Sequence, residues 1–378
     1  VRVWIALVLV CLVSGPALAC SFCSDGFTRR QPLREKFADA KIVVAGVLKN
    51  PIARDDGTGT TEFHITHVLK TDAALGKTAV LTIPRYLPIV ADTPPDYVFF
   101  CSIVDGRIEP VDGIAGGKAV RDYLTGVAKI DAKTPAGTRI GYFFRLLDAA
   151  DPTVSADAFL ELARTTDADL VKAKASLDPA KIRKWIVDPK VPDERIGVLG
   201  LLLGLSGNGA DANWLAGALT TAAPSDRVAS NLGGLLTGLI LLNPEQGWKL
   251  AGDLLASPTR PFSDKLNVIS AIRFFQATRP KESKDHIVAC LRALIANRDL
   301  ADLAIDDLRR WGWWDLTPTI LDAFAKPTHA APVIRRGIVR YALQCPDDKA
   351  KAFVAGLRTT EPALVKKVED GLKLYEKK

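Results

Sequence analysis

Three groups of residues have types and spacings that could carry chemistry: a cysteine pair, a histidine pair and a tryptophan-arginine cluster. Cys20-Ser21-Phe22-Cys23 has the spacing at which two thiols cycle between dithiol and disulfide, which needs a helix N-terminus to lower the pKa of the first thiol. Nothing strand-like leads into it and Gly26 follows closely, so a structural staple is the better reading, and redox catalysis by Cys20 and Cys23 stands as an alternative. His64-Ile65-Thr66-His67 would put two imidazoles on one face of a helix. The surrounding pattern is a strand, whose alternation sends them to opposite faces. A structural zinc site needs four ligands, and no second Cys pair or nearby His pair supplies them, so neither metal nor cofactor is expected. Arg54-Asp55-Asp56-Gly57-Thr58-Gly59 lacks the bidentate Glu of a calcium loop and reads as a hairpin turn.

Arg309-Arg310-Trp311-Gly312-Trp313-Trp314 holds three of the seven tryptophans in four residues. Trp and Arg are favoured where interfaces concentrate binding energy, so Arg309, Arg310, Trp311, Trp313 and Trp314 form a candidate binding patch for a peptide or glycan. In the alternative, favoured by the general burial of large aromatics, Gly312 ends a helix, Trp311 and Trp314 pack between units and the arginines lie over the rings. His286 and His329 are isolated, the scattered carboxylates are expected on helix surfaces, and no phosphate loop or nucleophile elbow is present, so no enzymatic constellation emerges.

The elements that must position these residues belong to a folded chain of 378 residues, 48% hydrophobic and 25% charged, long enough for two domains. The net charge of +7 is spread without a basic run, so no nucleic-acid face is expected. Arg2, the apolar run Val3 to Val13, Ser14-Gly15-Pro16 and Ala17-Leu18-Ala19 have the three parts of a secretory signal, which predicts a signal peptide over 1–19 and a secreted or periplasmic protein. That run, Ile196 to Leu205 and Leu232 to Leu242 are all too short to span a bilayer, so no transmembrane segment is expected. A lipid anchor on Cys20 is the alternative processing outcome; with Ala17 and Leu18 before Ala19, ordinary cleavage fits better. Five cysteines then remain. Disulfides persist outside the cell, so one of Cys20 and Cys23 is expected to pair with Cys101, the other thiol of the first half, while Cys290 and Cys345 read as buried free thiols.

Strand patterns cover Lys41 to Leu48, Thr61 to Lys70, Thr78 to Arg85, Tyr97 to Val104 and Arg107 to Val111. A helix follows over Gly117 to Ile130, with Val120, Tyr123, Leu124, Val127 and Ala128 inward. Five such strands predict a small barrel or sandwich. A mature N-terminal Cys, the run Phe37-Ala38-Asp39-Ala40-Lys41-Ile42-Val43-Val44-Ala45-Gly46, a strand ending Val68-Leu69-Lys70 and a later strand with Cys101 resemble the netrin-like module of tissue inhibitors of metalloproteinases. The resemblance implies an OB-type β-barrel over 20–130, a disulfide from the N-terminal cysteine to the barrel, and zinc chelation by the amine and carbonyl of Cys20, hence metalloprotease inhibition as an alternative function. The inhibitors have a single residue between their first two cysteines, where this chain has Ser21 and Phe22.

From about 140 to 378 helical patterns dominate, marked by Asp151-Pro152, Asp188-Pro189, Ala223-Pro224, Ser257-Pro258 and Lys326-Pro327. The prolines are 37, 35, 34 and 69 residues apart, with Arg298-Asp299 in the long gap. Apolar helices are predicted over Val154 to Leu162, Ile196 to Leu205, Val228 to Leu242, Leu266 to Phe275, Leu300 to Leu308 and Val333 to Leu343. This period resembles HEAT-type repeats and implies an α-helical solenoid. Taken whole, the chain resembles a group of secreted bacterial proteins that join a Cys-x-x-Cys β domain to helical repeats with motifs like Ala304-Ile305-Asp306-Asp307-Leu308-Arg309. The resulting expectation is an exported, non-enzymatic adaptor or scaffold with a protein partner.

Overall fold

The computed structural model describes residues 30–89, 95–221, 227–297 and 300–376. The signal segment, Cys20, Cys23 and the Ala223-Pro224 and Arg298-Asp299 marks lie outside the described residues. The chain divides into two compact units after Asp178.

In the first unit, α1 (Leu33–Asp39) leads into β1 (Ile42–Ala53), β2 (Gly59–Lys70), β3 (Val80–Ile83), β4 (Tyr97–Val104) and β5 (Arg107–Ala115). They form one antiparallel sheet in the order β3-β2-β1-β4-β5, with β3 and β5 at its edges. The hairpin expected at Asp105-Gly106 forms, both residues taking positive φ, as a two-residue turn matched to strand twist requires. The Arg54 to Gly59 segment also forms its turn, closed by Arg54 N–H to the Thr58 carbonyl at 2.9 Å. Ile42, Val44, Phe63, Leu81, Phe99 and Cys101 fill one core, while Val43, Ala45, Val98 and Phe100 alternate with them and are also buried, so β1 and β4 are covered on both faces.

Four helices complete this unit: α2 (Lys118–Val127), α3 (Ala136–Phe144), α4 (Pro152–Ala163) and α5 (Asp167–Lys172). It therefore runs past the boundary expected near 130–140. Val120, Tyr123, Leu124 and Val127 point inward as expected, whereas Ala128 is exposed because α2 ends before it. What fixes α1 is a polar clamp. Pro32 offers no side-chain cap, and the orphan N–H of Leu33 donates instead to Asp157 Oδ1 of α4 at 2.9 Å, while the other Asp157 oxygen accepts the Tyr123 hydroxyl at 2.6 Å. One turn on, Glu161 takes the Arg34 guanidinium with both oxygens, at 2.8 and 3.2 Å. At its other end α1 is tied to the sheet by Lys36 with Asp112 and by Lys70, which donates to the carbonyls of Phe37 and Ala38. Asp157 and Glu161 are buried, and this desolvation holds both carboxyls above their ordinary range against their hydrogen bonds. The expectation that carboxylates follow helix surfaces fails here, and also at Asp211, Asp264 and Asp307, because each buried acid is met by an arginine.

The second unit runs through α6 (Pro179–Val187), α7 (Ile196–Ser206), α8 (Gly209–Thr221), α9 (Arg227–Ser230), α10 (Leu232–Leu242), α11 (Pro244–Ala256), α12 (Phe262–Thr278), α13 (Pro280–Ala296), α14 (Ala301–Trp311), α15 (Thr317–Ala323), α16 (Pro332–Gln344), α17 (Asp348–Thr360) and α18 (Pro362–Glu376). The single helix expected over Val228 to Leu242 is two, broken at Asn231. Among the described residues no helix is long and apolar enough to cross a membrane. The helices pack in two rows, with α7, α10 and α12 in contact along one and α14, α16 and α18 continuing it, and α11, α13, α15 and α17 in the other. Contacts along the first row recur at one offset. Gly200 meets Gly234, Gly204 meets Gly238, Arg273 meets Asp307 and Asp306 meets Arg340, each 34 residues apart. His329 bridges to the Ile295 carbonyl at the same separation, 2.7 Å away. Between α7 and α10 the backbones touch: a Cβ on Gly238 would lie 2.2 Å from the Gly200 carbonyl oxygen.

Two substitution pairs test these supports by urea unfolding. Gly238→Val should destabilise the second unit by about 1–3 kcal/mol or more through overpacking, whereas Gly217→Ala, in open space on α8, should be neutral or stabilise by up to about 1 kcal/mol. Asp157→Ala should cost about 1–3 kcal/mol for each donor left unpaired, and Asp157→Asn much less, since an amide oxygen still accepts. Because the folded Asp157 pKa is raised, the folded state binds the proton more readily than the unfolded chain. Wild type should therefore lose stability relative to Asp157→Asn as pH rises through and above the ordinary carboxylate range. A difference that grows toward acid instead would contradict the clamp's electrostatics.

Candidate functional site

Helix α14 ends as its sequence dictates. Gly312 adopts the left-handed conformation at φ 66°, its N–H donates to the Arg309 carbonyl, and the Trp313 N–H reaches back to Leu308 at 2.9 Å, the paired bonds of a Schellman cap. This closure fixes where the tryptophans emerge. Trp311 and Trp313 meet edge to face with centroids 5.3 Å apart, and Trp314 turns the other way onto the ring of buried Tyr341 at 4.9 Å. The Tyr341 hydroxyl lies 2.9 Å from that of Thr317. All three indoles remain half-buried.

The arginines do not lie over the indole rings, contrary to the packing alternative. They converge on Asp306: Arg309 through Nε at 3.0 Å and Nη2 at 2.9 Å, Arg310 through Nε at 2.7 Å, and Arg340 of α16 at 3.6 Å. The remaining Arg309 amine donates to Gln344 at 2.6 Å. Next along α14, Asp307 is buried and accepts from Arg273 of α12 at 2.9 Å; burial raises its pKa against the pull of that guanidinium. The cation that does cover an indole is Lys284, 5.6 Å from the Trp313 centroid and paired with Asp315 at 3.1 Å. Asp306, Asp307, Arg273, Lys284 and Arg340 were not singled out from the sequence. The signal was there in the Asp306-Asp307 pair and in charges of opposite sign 34 residues away.

Other candidate residues serve the fold. His64 pairs with Glu62 at 2.8 Å and His67 contacts the neighbouring Thr66 at 3.0 Å, so the two share no ligand. Buried His329 sits between the Thr328 hydroxyl and the Ile295 carbonyl, and exposed His286 stacks flat on Trp248. Among the described residues no three His, Cys, Asp or Glu side chains converge as a metal set. The first unit has a cavity of about 550 Å³ beside Asp157 and Lys36, and one of about 300 Å³ between Ile83 to Leu87, Tyr97, Phe99 and β5. Cys101, Cys290 and Cys345 are buried free thiols. Burial pushes Cys101 up to about 11 and Cys290 up to about 12. No known protein family, curated protein or solved structure matches the chain.

A raised thiol pKa keeps the unreactive protonated form through neutral pH. In the folded protein at mildly alkaline pH, Cys101 and Cys290 should therefore resist a thiol reagent and react only after denaturation. Reaction of Cys101 in denaturant without reductant identifies a free thiol, and a requirement for reductant identifies the disulfide to Cys20 or Cys23.

Proposed function

We propose that the protein is an exported, non-enzymatic scaffold whose second unit, a stack of HEAT-like repeats, holds a protein partner on the surface around α14. The observation that carries this reading is the Trp311 and Trp313 pair, kept half-exposed by the Gly312 cap beside Arg310, whose side chain is 67% exposed. Aromatic and arginine side chains anchored in this way form the centres of protein interfaces. The recurrent 34-residue contacts support stacked repeats, an architecture that works through an extended face rather than a pocket. For the first unit, a netrin-like, OB-type barrel is supported by β1 pairing with both β2 and β4, and by β3 and β5 lining one cavity, so closure would need only that last pair. Export rests on the residue pattern of the leader, and the staple from Cys20 or Cys23 on the position of Cys101 beside the start of β1.

The test is capture of partners from an envelope extract by wild type and by a Trp311→Ala/Trp313→Ala variant with an unchanged circular dichroism spectrum. A specific partner should be retained by the first and reduced at least about tenfold with the second, the loss expected when a central aromatic anchor is removed. Equal retention by both would remove this surface from the function.

A further inference from the structure

Four guanidiniums gather on three successive helices of the first row: Arg273 on α12, Arg309 and Arg310 on α14, and Arg340 on α16. Only two carboxylates, Asp306 and Asp307, meet them, which leaves a surplus of two positive charges. The pairing also sets orientation. Arg310 and Arg273 spend their Nε donors on Asp306 and Asp307, and the side chains are 67% and 48% exposed; Arg340 is 35% exposed. Their outer N–H groups are thus presented to solvent in fixed forks, the geometry that matches carboxylates in bidentate pairs. An arginine held by a buried acid has already lost much of its rotamer freedom, so less is lost when a ligand arrives.

The spacing adds a constraint. Packed helices lie about 8–10 Å apart, and in a polyproline II segment every third residue returns to the same face after about 9 Å. We propose that this arginine face binds an acidic peptide segment in polyproline II conformation, with carboxylates at every third residue, one for each of α12, α14 and α16. This inference rests on the scaffold reading of the same surface and gives its partner a chemistry. The exposed edges of Trp311 and Trp313 lie at the end of α14, where proline rings of such a segment can stack.

The experiment uses fluorescence anisotropy with the full chain and labelled synthetic peptides. One has Glu at every third position in a proline background; a second has the same number of Glu at every second position; a third has Lys in place of Glu. The first should bind at least about tenfold more tightly than the others, more weakly as ionic strength rises. Arg310→Gln/Arg340→Gln, which leaves Arg309 on Asp306 and Arg273 on Asp307, should lose at least about tenfold in affinity while melting as wild type does, since exposed pairs contribute little to stability. Equal affinity for both Glu registers, undiminished binding by the double variant, or tighter binding of inorganic polyphosphate would overturn the inference. Continued capture of the native partner by this double variant would also overturn it while leaving the scaffold reading standing, which the tryptophan variant tests separately.

Discussion

The constraint on which the second unit depends is the contact each first-row helix makes with the helix 34 residues earlier. At α7 and α10 that contact is backbone on backbone, Gly200 and Gly204 against Gly234 and Gly238, and it leaves no room for side chains. Farther along, the same offset carries Arg273 to Asp307 and Asp306 to Arg340. The period is thus kept while its chemistry changes, from apolar close approach to charge pairing. Where glycines touch, the helices are apolar all round and fully enclosed; where charges pair, polar groups reach the surface and become available to a ligand.

The first unit solves a different problem. Helix α1 is too short to stand alone and has no capping side chain of its own, so α4 supplies one from 124 residues away. Burying Asp157 and Glu161 is costly, and burial alone would favour their neutral forms. Hydrogen bonds from Leu33, Tyr123 and Arg34 offset that cost only when α1 is docked. The unfavourable burial of charge therefore becomes a specificity device: any other placement of α1 leaves two carboxylates without donors.

Much of this was legible in the residues. Alternation located all five strands, β4 with the bounds seen, because covered strands keep dense β-branched and aromatic runs. Gly312 announced the end of α14, and the proline marks gave a period close to the observed offset. What stayed hidden was pairing at long range. A buried acid such as Asp157 looks the same in sequence as a surface one, since its partner Leu33 offers a backbone N–H and no side-chain signature. The convergence of arginines on Asp306 was obscured for a related reason: adjacent tryptophans invite stacking, yet a carboxylate one turn back on the same helix offers a closer and stronger partner.

That last competition bears on how the tryptophan cluster works. Had Arg309 and Arg310 covered the indoles, as the bare cluster suggests, both aromatic faces and guanidinium forks would be consumed internally. With Asp306 drawing three arginines aside, the indoles keep open edges and the arginines keep outward donors. Asp306 thus acts as the positioning residue of the surface. It touches no ligand in this scheme, yet it separates the apolar and cationic functions that a peptide-binding face must present side by side.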